Sequence, residues 1–356
     1  MNRSRRPHAV LLGVLLVSIG CLLAGCFLFP GGPKAVIEVS ITEGFVPLTI
    51  AFDGSGSTAA AEISTYAWDF GTDDPDSHEV SGSYVYEHAG TFTLTLTVRA
   101  ADGSTGTASV TITVKPAVWI TDENQGRIHK LDMQGNTLDS FDLPATQPRG
   151  ITIAEAEGHD WLFVACFNGG SQKILRVDPT NGTVSQQYDA PGQSPKNLTY
   201  GAAEPKRIWH VDGLSRKLYG LNRLDCQIYG SFGTTYFQVG TDPFLWNPQG
   251  LDWTPAPNAA GHLWYLEGQT RLLYKIKIIP RYDIMSGTQL DIVGDPVEIS
   301  ATVFPVSAID FYDDYLWVID VNDHAIVQVD PSTGTPTGTE ITGFPGASPA
   351  GLEIQH

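Results

Sequence analysis

Acidic side chains recur at matching places in four of the five similar segments that follow residue 117. Each segment contains a short apolar strand whose last residue is Asp122, Cys166, Asp212, Glu267 or Asp320. Carboxylates at the ends of neighbouring strands can coordinate a cation, or they can accept backbone hydrogen bonds in the turn that follows. Turn formation is the more frequent role of such acids, so we expect these positions to be structural.

A second polar set lies within the strand that opens each segment. Its members are flanked by apolar residues and are Thr152, Thr199, Asp252, Asp310 and Glu353. Such residues either line a hydrated central channel or hold a cation. The three acids of this set, Asp252, Asp310 and Glu353, are the candidate metal ligands, with Ca²⁺ as the candidate ion. No other cofactor is indicated.

Aromatic residues cluster in one long loop between the third and fourth segments. They are Tyr236, Phe237, Phe244 and Trp246. One interpretation is that they pack beneath their own loop. The other is that they form an exposed platform for a sugar or a peptide, since apolar patches at a loop-rich rim often mark binding sites. These four residues are the candidate ligand-binding residues.

Sequence signatures of enzymes are mostly missing. The chain has no Gly-x-Ser-x-Gly, His-Glu-x-x-His or Cys-x-x-Cys motif and no phosphate-binding glycine loop. His210, two residues before Asp212, makes the one His–acid pair near the strand ends, and such a histidine is more often structural. We therefore identify no catalytic residue.

The five segments constitute a repeat of roughly fifty residues with about four short strands each, which is typical of a β-propeller. The first copy lacks a strand before Trp119, and the last copy has a spare strand at 351–354. We predict that the spare strand pairs with 118–121, which gives five blades over 117–356. A sixth blade within 277–304 is the alternative. The pattern resembles NHL, YncE-like and SMP-30-like propellers, a resemblance that implies an architecture and no particular activity.

Residues 34–115 alternate apolar and polar side chains in several short runs, which predicts a β-sandwich. The stretches 47–57, 66–71 and 86–92 resemble the PKD domain, an Ig-like sandwich of extracellular proteins. The resemblance implies a core containing Trp68 and Phe70, with Asp53 and Asp69 bonding turn backbone. A calcium site at Asp73, Asp74 and Asp76 is the less favoured alternative for the acidic loop.

The first residues have the pattern of an export signal, with three arginines followed by an apolar run over 9–29. Leu23-Ala24-Gly25-Cys26 resembles a bacterial lipobox, which implies a cleaved signal peptide at 1–25, lipid on Cys26 and a tether at 26–33. An uncleaved transmembrane anchor is the alternative. We expect an exported lipoprotein that is held on a membrane by its N-terminal lipid and faces outside the cytoplasm.

The acidic balance of the chain argues against nucleic-acid binding. Its formal net charge is −18, and loss of 1–25, which contain three arginines and no acid, changes this to −21. The repeats contain two cysteines, Cys166 and Cys226. They are predicted to lie at opposite ends of different blades, too far apart for a disulfide.

The function predicted from the sequence is non-catalytic binding or adhesion at the cell surface, with the sandwich as a spacer and an extracellular protein or glycan as the ligand. A metal-dependent hydrolase or lyase that uses the channel carboxylates is one alternative. A structural scaffold of an envelope complex is another.

Overall fold

The computed structural model describes residues 32–74, 76–144, 147–168, 170–201, 206–214, 217–228, 238–239, 242–243, 248–256, 259–279, 289–346 and 348–355. The regular structure of this part of the chain is almost entirely strand, with one short 3₁₀ helix at Ala301–Val303, so the predicted all-β class is confirmed. None of the helical structure in these ranges is long and apolar enough to cross a membrane. The chain divides into two compact units, of which the larger contains Ile112–His356, Ile41–Ile50 and Tyr84–Thr91.

Seven strands precede residue 116. They are β1 (Glu38–Val39), β2 (Glu43–Phe45), β3 (Leu48–Asp53), β4 (Ile63–Asp69), β5 (Ser81–Tyr86), β6 (Gly90–Ala100) and β7 (Thr105–Lys115). They form two sheets, in the orders β1-β3-β5 and β2-β7-β6-β4. In β6, alternate side chains are buried because successive residues of a strand point to opposite faces.

The core of these two sheets is aromatic, as the sequence predicted. Trp68 is fully buried, and the centroid of its ring lies 4.7 Å from that of Phe52. Phe52 also packs edge-on against Phe70, with 5.3 Å between ring centroids. Asp53 accepts the Ser55 N–H and Asp69 accepts the Gly71 N–H, each at 2.7 Å, so the predicted turn roles of both acids are confirmed.

Five antiparallel sheets follow, numbered here in chain order. Sheet 1 contains β8 (Ala117–Asp122), β9 (Arg127–Leu131), β10 (Thr137–Asp142) and β29 (Pro349–Gln355). Sheet 2 contains β11 (Pro148–Ala156), β12 (His159–Asn168), β13 (Ser171–Val177) and β14 (Val184–Asp189). Sheet 3 contains β15 (Pro195–Gly201), β16 (Arg207–Asp212) and β17 (Lys217–Asn222).

Sheets 4 and 5 complete this part of the chain. Sheet 4 contains β20 (Pro248–Ala256), β21 (Ala259–Glu267), β22 (Leu272–Ile279), β23 (Gln289–Ile292) and β24 (Val297–Glu298). Sheet 5 contains β25 (Val306–Tyr312), β26 (Tyr315–Asp320), β27 (Ala325–Val329) and β28 (Pro336–Thr342). The short strands β18 (Gln238–Val239) and β19 (Asp242–Pro243) pair only with each other among the described strands.

The five sheets are joined through their inner strands, β29, β11, β15, β20 and β25. β11 lies beside β29 and β15, β20 lies beside β15 and β25, and β25 lies beside β29. Apolar side chains fill the spaces between sheets, as where Ile120 and Leu352 of sheet 1 pack with Ile319 of sheet 5. Each inner strand therefore takes part both in its own sheet and in contacts to two neighbouring sheets.

The C-terminal strand pairs with the first strand of the repeats, as predicted. Residues 351–354 of β29 face 118–121 of β8 in antiparallel register. A buried hydrogen bond of 3.1 Å, from the Trp119 Nε1–H to Oε1 of Gln355, joins the same two strands. Sheet 1 thus consists of segments that are more than 200 residues apart in the sequence.

The described strands within 277–304 belong to sheet 4. β23 and β24 both pair with β22, where 289–292 face 276–279 and 297–298 face 272–273. The two strands therefore divide the outer edge of one sheet between them. No additional sheet is formed by residues 289–298.

Both cysteines of the repeats are free and buried, which confirms the prediction. Cys166 lies at the end of sheet 2, and Cys226 follows the turn after β17. Burial raises the pKa of each thiol to about 12. Both therefore act as small apolar core residues rather than as nucleophiles.

Candidate functional site

One edge of all five sheets has the same construction. The first residue of each inner strand stands opposite a residue at or near the end of its partner strand, in the pairs Pro148–Cys166, Pro195–Asp212, Pro248–Glu267, Val306–Asp320 and Pro349–Asp122. We call the surface formed by these strand ends and their turns the upper face. A backbone hydrogen bond recurs there. The N–H of the residue after this partner residue donates to the carbonyl just before the inner strand, as from Phe167 to Gln147 and from Gly213 to Ser194.

The acids of the upper face hold turns, as predicted. Asp122 Oδ1 accepts the N–H groups of Asn124 and Gln125, both at 2.9 Å. Asp320 and Glu267 make the same kind of bonds, with Asn322 and Asp323 and with Gln269 and Thr270 as their donors. Because their oxygens satisfy turn N–H groups, these carboxylates are structural.

Asp212 stabilises a different segment of the upper face. Its Oδ2 accepts the N–H groups of Gln193 and Ser194, which lie just before β15 rather than in the turn that follows Asp212. A side chain at Gly192, which has a φ of 95°, would overlap this carboxylate. Asp212 therefore fixes the chain immediately before Pro195.

The polar residues of the inner strands form a linked belt, which we call the carboxylate belt. It comprises Thr152, Thr199, Asp252, Asp310 and Glu353. Asp252 accepts the Thr199 hydroxyl at 2.9 Å and the Phe311 N–H at 2.8 Å. Asp310 accepts the Ile354 N–H at 2.7 Å, and Glu353 accepts the Ile153 N–H and the Thr152 hydroxyl.

The bonds of the belt follow one rule. Each acid accepts the N–H of the residue that comes directly after its counterpart on a neighbouring inner strand. Asp252 on β20 thus bonds to β25, Asp310 on β25 bonds to β29, and Glu353 on β29 bonds to β11. The belt acids consequently join adjacent sheets to one another.

Burial and mutual repulsion raise the pKa values of the belt acids. Loss of hydration raises the pKa of Asp252 to about 7, against the hydrogen bonds that it accepts. The pKa of Asp310 is raised well above its usual range by burial, then by Asp252 and Glu353. The pKa of Glu353 is also raised well above its usual range, by burial and then chiefly by Asp252. The belt therefore retains protons near neutral pH.

The calcium hypothesis gains no support from this geometry. Within the described ranges, no group of three or more His, Cys, Asp or Glu residues is arranged to hold a metal ion. That finding covers the belt acids, and it covers Asp73, Asp74 and Asp76 of the sandwich. Both oxygens of Asp252 already accept hydrogen bonds from the protein.

His210 has a structural environment. The ring is fully buried, with Nδ1 3.2 Å from the Asn197 carbonyl and Nε2 3.2 Å from the Pro191 carbonyl. It also stacks on Tyr219, with 6.0 Å between ring centroids. Burial lowers the pKa of the imidazole, and neither nitrogen is directed at solvent, which agrees with the structural role predicted for this residue.

Five of the predicted site residues lie outside the described part of the chain. They are the lipidation candidate Cys26 and the aromatic loop candidates Tyr236, Phe237, Phe244 and Trp246. Their predicted roles stay predictions.

The structure brings together a basic cluster on the upper face that the sequence reasoning missed. Arg149, on β11, donates from Nε and Nη2 to Oε1 of Glu123 at 2.9 and 2.8 Å. Its Nη1 reaches the Ser194 hydroxyl at 3.3 Å, and its guanidinium carbon lies 5.3 Å from the centroid of Phe167. Lys196 occupies the corresponding position on β15. The sequence does carry a signal for this cluster. Each repeat has a proline where its first strand begins, and the residue after that proline is cationic only in these two copies.

Exposed apolar surface lies next to this cluster. Leu214, in the turn after β16, is 63% exposed, the highest value among the described large apolar residues. Gly213, beside it, faces the aliphatic part of Lys196, where an added Cβ would lie 3.0 Å from Cγ. The Lys196 side chain therefore runs along the turn that presents Leu214.

Comparison with known families identifies the first domain. Residues 33–114 match the PKD domain family, so this part of the chain is a PKD domain. The PKD1 domain of the Vibrio cholerae metalloprotease PrtV is 30% identical, covers 23% of this chain and 96% of its own, and has a TM-score of 0.21. No curated protein matches the chain.

Solved structures also resemble the larger part of the chain. A chain from a nidogen–laminin complex aligns with a TM-score of 0.50 at 12% identity, over 68% of this chain and 98% of its own. A quinoprotein alcohol dehydrogenase-like protein from Bacteroides thetaiotaomicron aligns at 13% identity over 85% of this chain and 83% of its own, with a TM-score of 0.27. The structural neighbours include β-propeller-like proteins, and identities this low concern the fold alone.

Proposed function

We propose that residues 117–356 form a five-bladed β-propeller of the NHL or YncE type, with sheets 1 to 5 as its blades. The cyclic order of contacts among β29, β11, β15, β20 and β25 supports this architecture. So does the pairing of β29 with β8, which would leave no free inner edge in the first blade. On this proposal the carboxylate belt surrounds the central axis.

The function that we propose is non-catalytic binding of an extracellular protein or glycan by the upper face. One observation carries it: the acids at the strand ends and in the carboxylate belt are engaged in turns and between sheets, whereas the upper face presents an exposed Leu214 beside a basic cluster. Turns and loops on a rigid scaffold are where binding residues are concentrated, so a basic cluster beside an exposed leucine at this rim supports a binding role. The PKD domain would serve as a spacer.

The proposal includes export and a lipid anchor at Cys26, with residues 1–25 removed and 26–33 as the tether. Its support is the sequence pattern of three arginines, an apolar run and Leu-Ala-Gly-Cys. The membrane is then a partner through the lipid alone. Metabolic labelling with a fatty-acid analogue should mark the wild-type chain, and Cys26→Ser should lose the label. Label retained by Cys26→Ser would refute this anchor.

The binding function can be tested with the full chain in detergent on arrays of glycans and extracellular-matrix peptides. We expect selective retention on a small set of ligands. Leu214→Asp should lose that retention because it places a charge on the apolar part of the upper face. Val293→Asp is the matched control, since Val293 is also exposed but lies at the outer edge of sheet 4. Retention by neither array, or equal retention by Leu214→Asp, would contradict the proposal.

A further inference from the structure

Lys196 has an unusual position for a surface lysine. It is half-buried on an inner strand, and within the described part of the chain its ammonium group has no hydrogen-bond or ion-pair partner. Burial and the nearby Arg149 guanidinium lower its pKa, while Glu123 acts in the opposite direction. The cation is thus held where hydration is reduced and a second cation is near. A bound anion would relieve both costs.

Arg149 is fixed in place beside this ammonium. Its three nitrogens bond to Glu123, which directly follows β8, and to Ser194 and Pro195 at the start of β15, and its guanidinium carbon lies over the ring of Phe167. Few rotamers remain open to a side chain that is held from three sides, so ordering it for a ligand costs little. The cationic end of the site is therefore preorganised.

Glu123 supplies an acceptor on the other side of the arginine. Both Arg149 bonds fall on its Oε1, so Oε2 accepts no hydrogen bond from the residues that the structure describes. The site thus offers the three N–H donors of the Lys196 ammonium and one oxygen of the Glu123 carboxylate, around the fixed guanidinium of Arg149. Hydroxyl groups are suitable donors to such an oxygen.

The local charge selects among ligands. Arg149 and Lys196 contribute two positive charges and Glu123 contributes one negative charge, which leaves one unbalanced positive charge. A monoanion with neutral hydroxyl groups balances it, whereas a zwitterion or a neutral sugar does not. In a chain with a net charge of −18, this cluster is also a local exception that attracts anions only at short range.

We propose that the Arg149–Lys196 cluster binds the carboxylate of an acidic sugar, a uronic acid, with Lys196 on the carboxylate and Glu123 on a ring hydroxyl. The inference deepens the proposed function and rests on it. It names the ligand class that the upper face recognises. The aliphatic part of Lys196 and the neighbouring Leu214 would contact the apolar face of the sugar ring.

The test is calorimetric titration of the full chain in detergent with methyl glucuronide. Methyl glucoside, acetate and N-acetylalanine serve as comparisons, because they lack the carboxylate, the sugar hydroxyls and the ring respectively. We expect methyl glucuronide to bind best, with an affinity that falls as the salt concentration rises. Lys196→Met should reduce its affinity by about tenfold or more, and Lys196→Arg should retain most of it. Lys173→Met is the control, since Lys173 pairs with Asp189 on the outer part of sheet 2.

Thermal unfolding of each variant, with Lys196→Gln as a second substitution, separates loss of binding from loss of fold. Equal affinity of folded Lys196→Met and wild type would overturn the inference, as would glucuronide binding no better than glucoside or N-acetylalanine. If the wild type does not bind methyl glucuronide but is retained by other ligands of the arrays, the uronic-acid inference fails while the proposed binding function stands. If the wild type is retained by no ligand, the inference and the proposed function both fail.

Discussion

The Asp310 carboxyl lies between two other buried acids and bonds the backbone of the C-terminal strand. Because burial raises its pKa above the value in the unfolded chain, the folded protein binds more protons than the unfolded protein between those two pKa values. The free energy of unfolding should therefore fall as pH rises from about 4 through about 7, the pKa of the neighbouring Asp252. Stability from the belt is fully present at acidic pH and decreases towards alkaline pH.

Asp310→Asn should flatten this dependence, because a carboxamide stays neutral and its oxygen can still accept the Ile354 N–H. Between about pH 5 and pH 8 we expect the variant to lose less unfolding free energy than the wild type, by about 1–3 kcal/mol. Chemical denaturation across this range gives the measurement. Asp330→Asn is the control, since Asp330 lies in an exposed turn and its pKa is lowered. Parallel pH profiles for Asp310→Asn and wild type would show that the belt does not hold the proton.

At this scale the sequence predicted which residues are polar on the inner strands but not how they are used. Alternation of side chains along a strand identified Asp252, Asp310 and Glu353 as a set. Their partners are backbone N–H groups of neighbouring sheets, which depend on the stagger between sheets and have no local sequence signal. The residue after the repeat proline does single out Arg149 and Lys196, but their contacts with Glu123 and Ser194, next to other strands, have no such local signal.

Among the elements, β29 and its neighbour β11 come very close together at Gly351. A Cβ at this position would overlap the carbonyl oxygen of Arg149, which already accepts the Thr121 hydroxyl at 2.6 Å. Gly351→Ala should therefore push β29 away from β11 and lower stability by about 2–3 kcal/mol. Gly250→Ala is the matched comparison, because the atoms nearest to its Cβ belong to the Ile309 side chain, at 2.7 Å, rather than to the backbone.

Denaturant unfolding of the two glycine variants measures the difference. We expect Gly250→Ala to cost about 1 kcal/mol, since the Ile309 side chain has to shift less than the Arg149 carbonyl oxygen, which would lie 2.0 Å from the Cβ of Gly351→Ala. Equal losses for the two variants would indicate that the β29–β11 contact yields more easily than the structure implies. A larger loss for Gly250→Ala would reverse the ranking and contradict the argument.

The strands themselves were predictable to a large extent. Repetition of apolar-aromatic runs located β8, β12, β16, β21 and β26, and the deficit before Trp119 correctly identified the partner of β29. Less regular edges were not anticipated. The outer edge of sheet 4 is divided between β23 and β24, which no repeated motif marks. Repetition predicts what the copies share, and the departures depend on individual loops.

For the whole molecule, β29 connects three sheets: it pairs within sheet 1 and lies beside inner strands of sheets 2 and 5. Deletion of 349–356 removes these contacts together with Glu353 and Gln355. We expect a fall in the unfolding midpoint of well over 10 °C, since losses of several kcal/mol shift the midpoint of a domain of this size by about 2–4 °C per kcal/mol.

Scanning calorimetry of the shortened chain measures this fall, and a synthetic peptide of residues 347–356 added in trans is the control. The peptide should raise the midpoint in a concentration-dependent way because it binds the folded form. An unchanged midpoint after deletion would contradict the role assigned to β29. A peptide without effect on a destabilised chain would indicate that the covalent connection is required.

The pairing of β8 with β29 also determines when sheet 1 can be completed during synthesis. Synthesis delivers the chain from its N-terminus, so β8 emerges more than 200 residues before the strand that completes its sheet. A nascent chain can assemble sheets 2 to 5 while sheet 1 still lacks its inner strand. Any product interrupted before residue 349 retains that defect and presents an unpaired strand edge, which proteases and chaperones recognise. Sheet 1 can therefore be completed only after translation has passed residue 355.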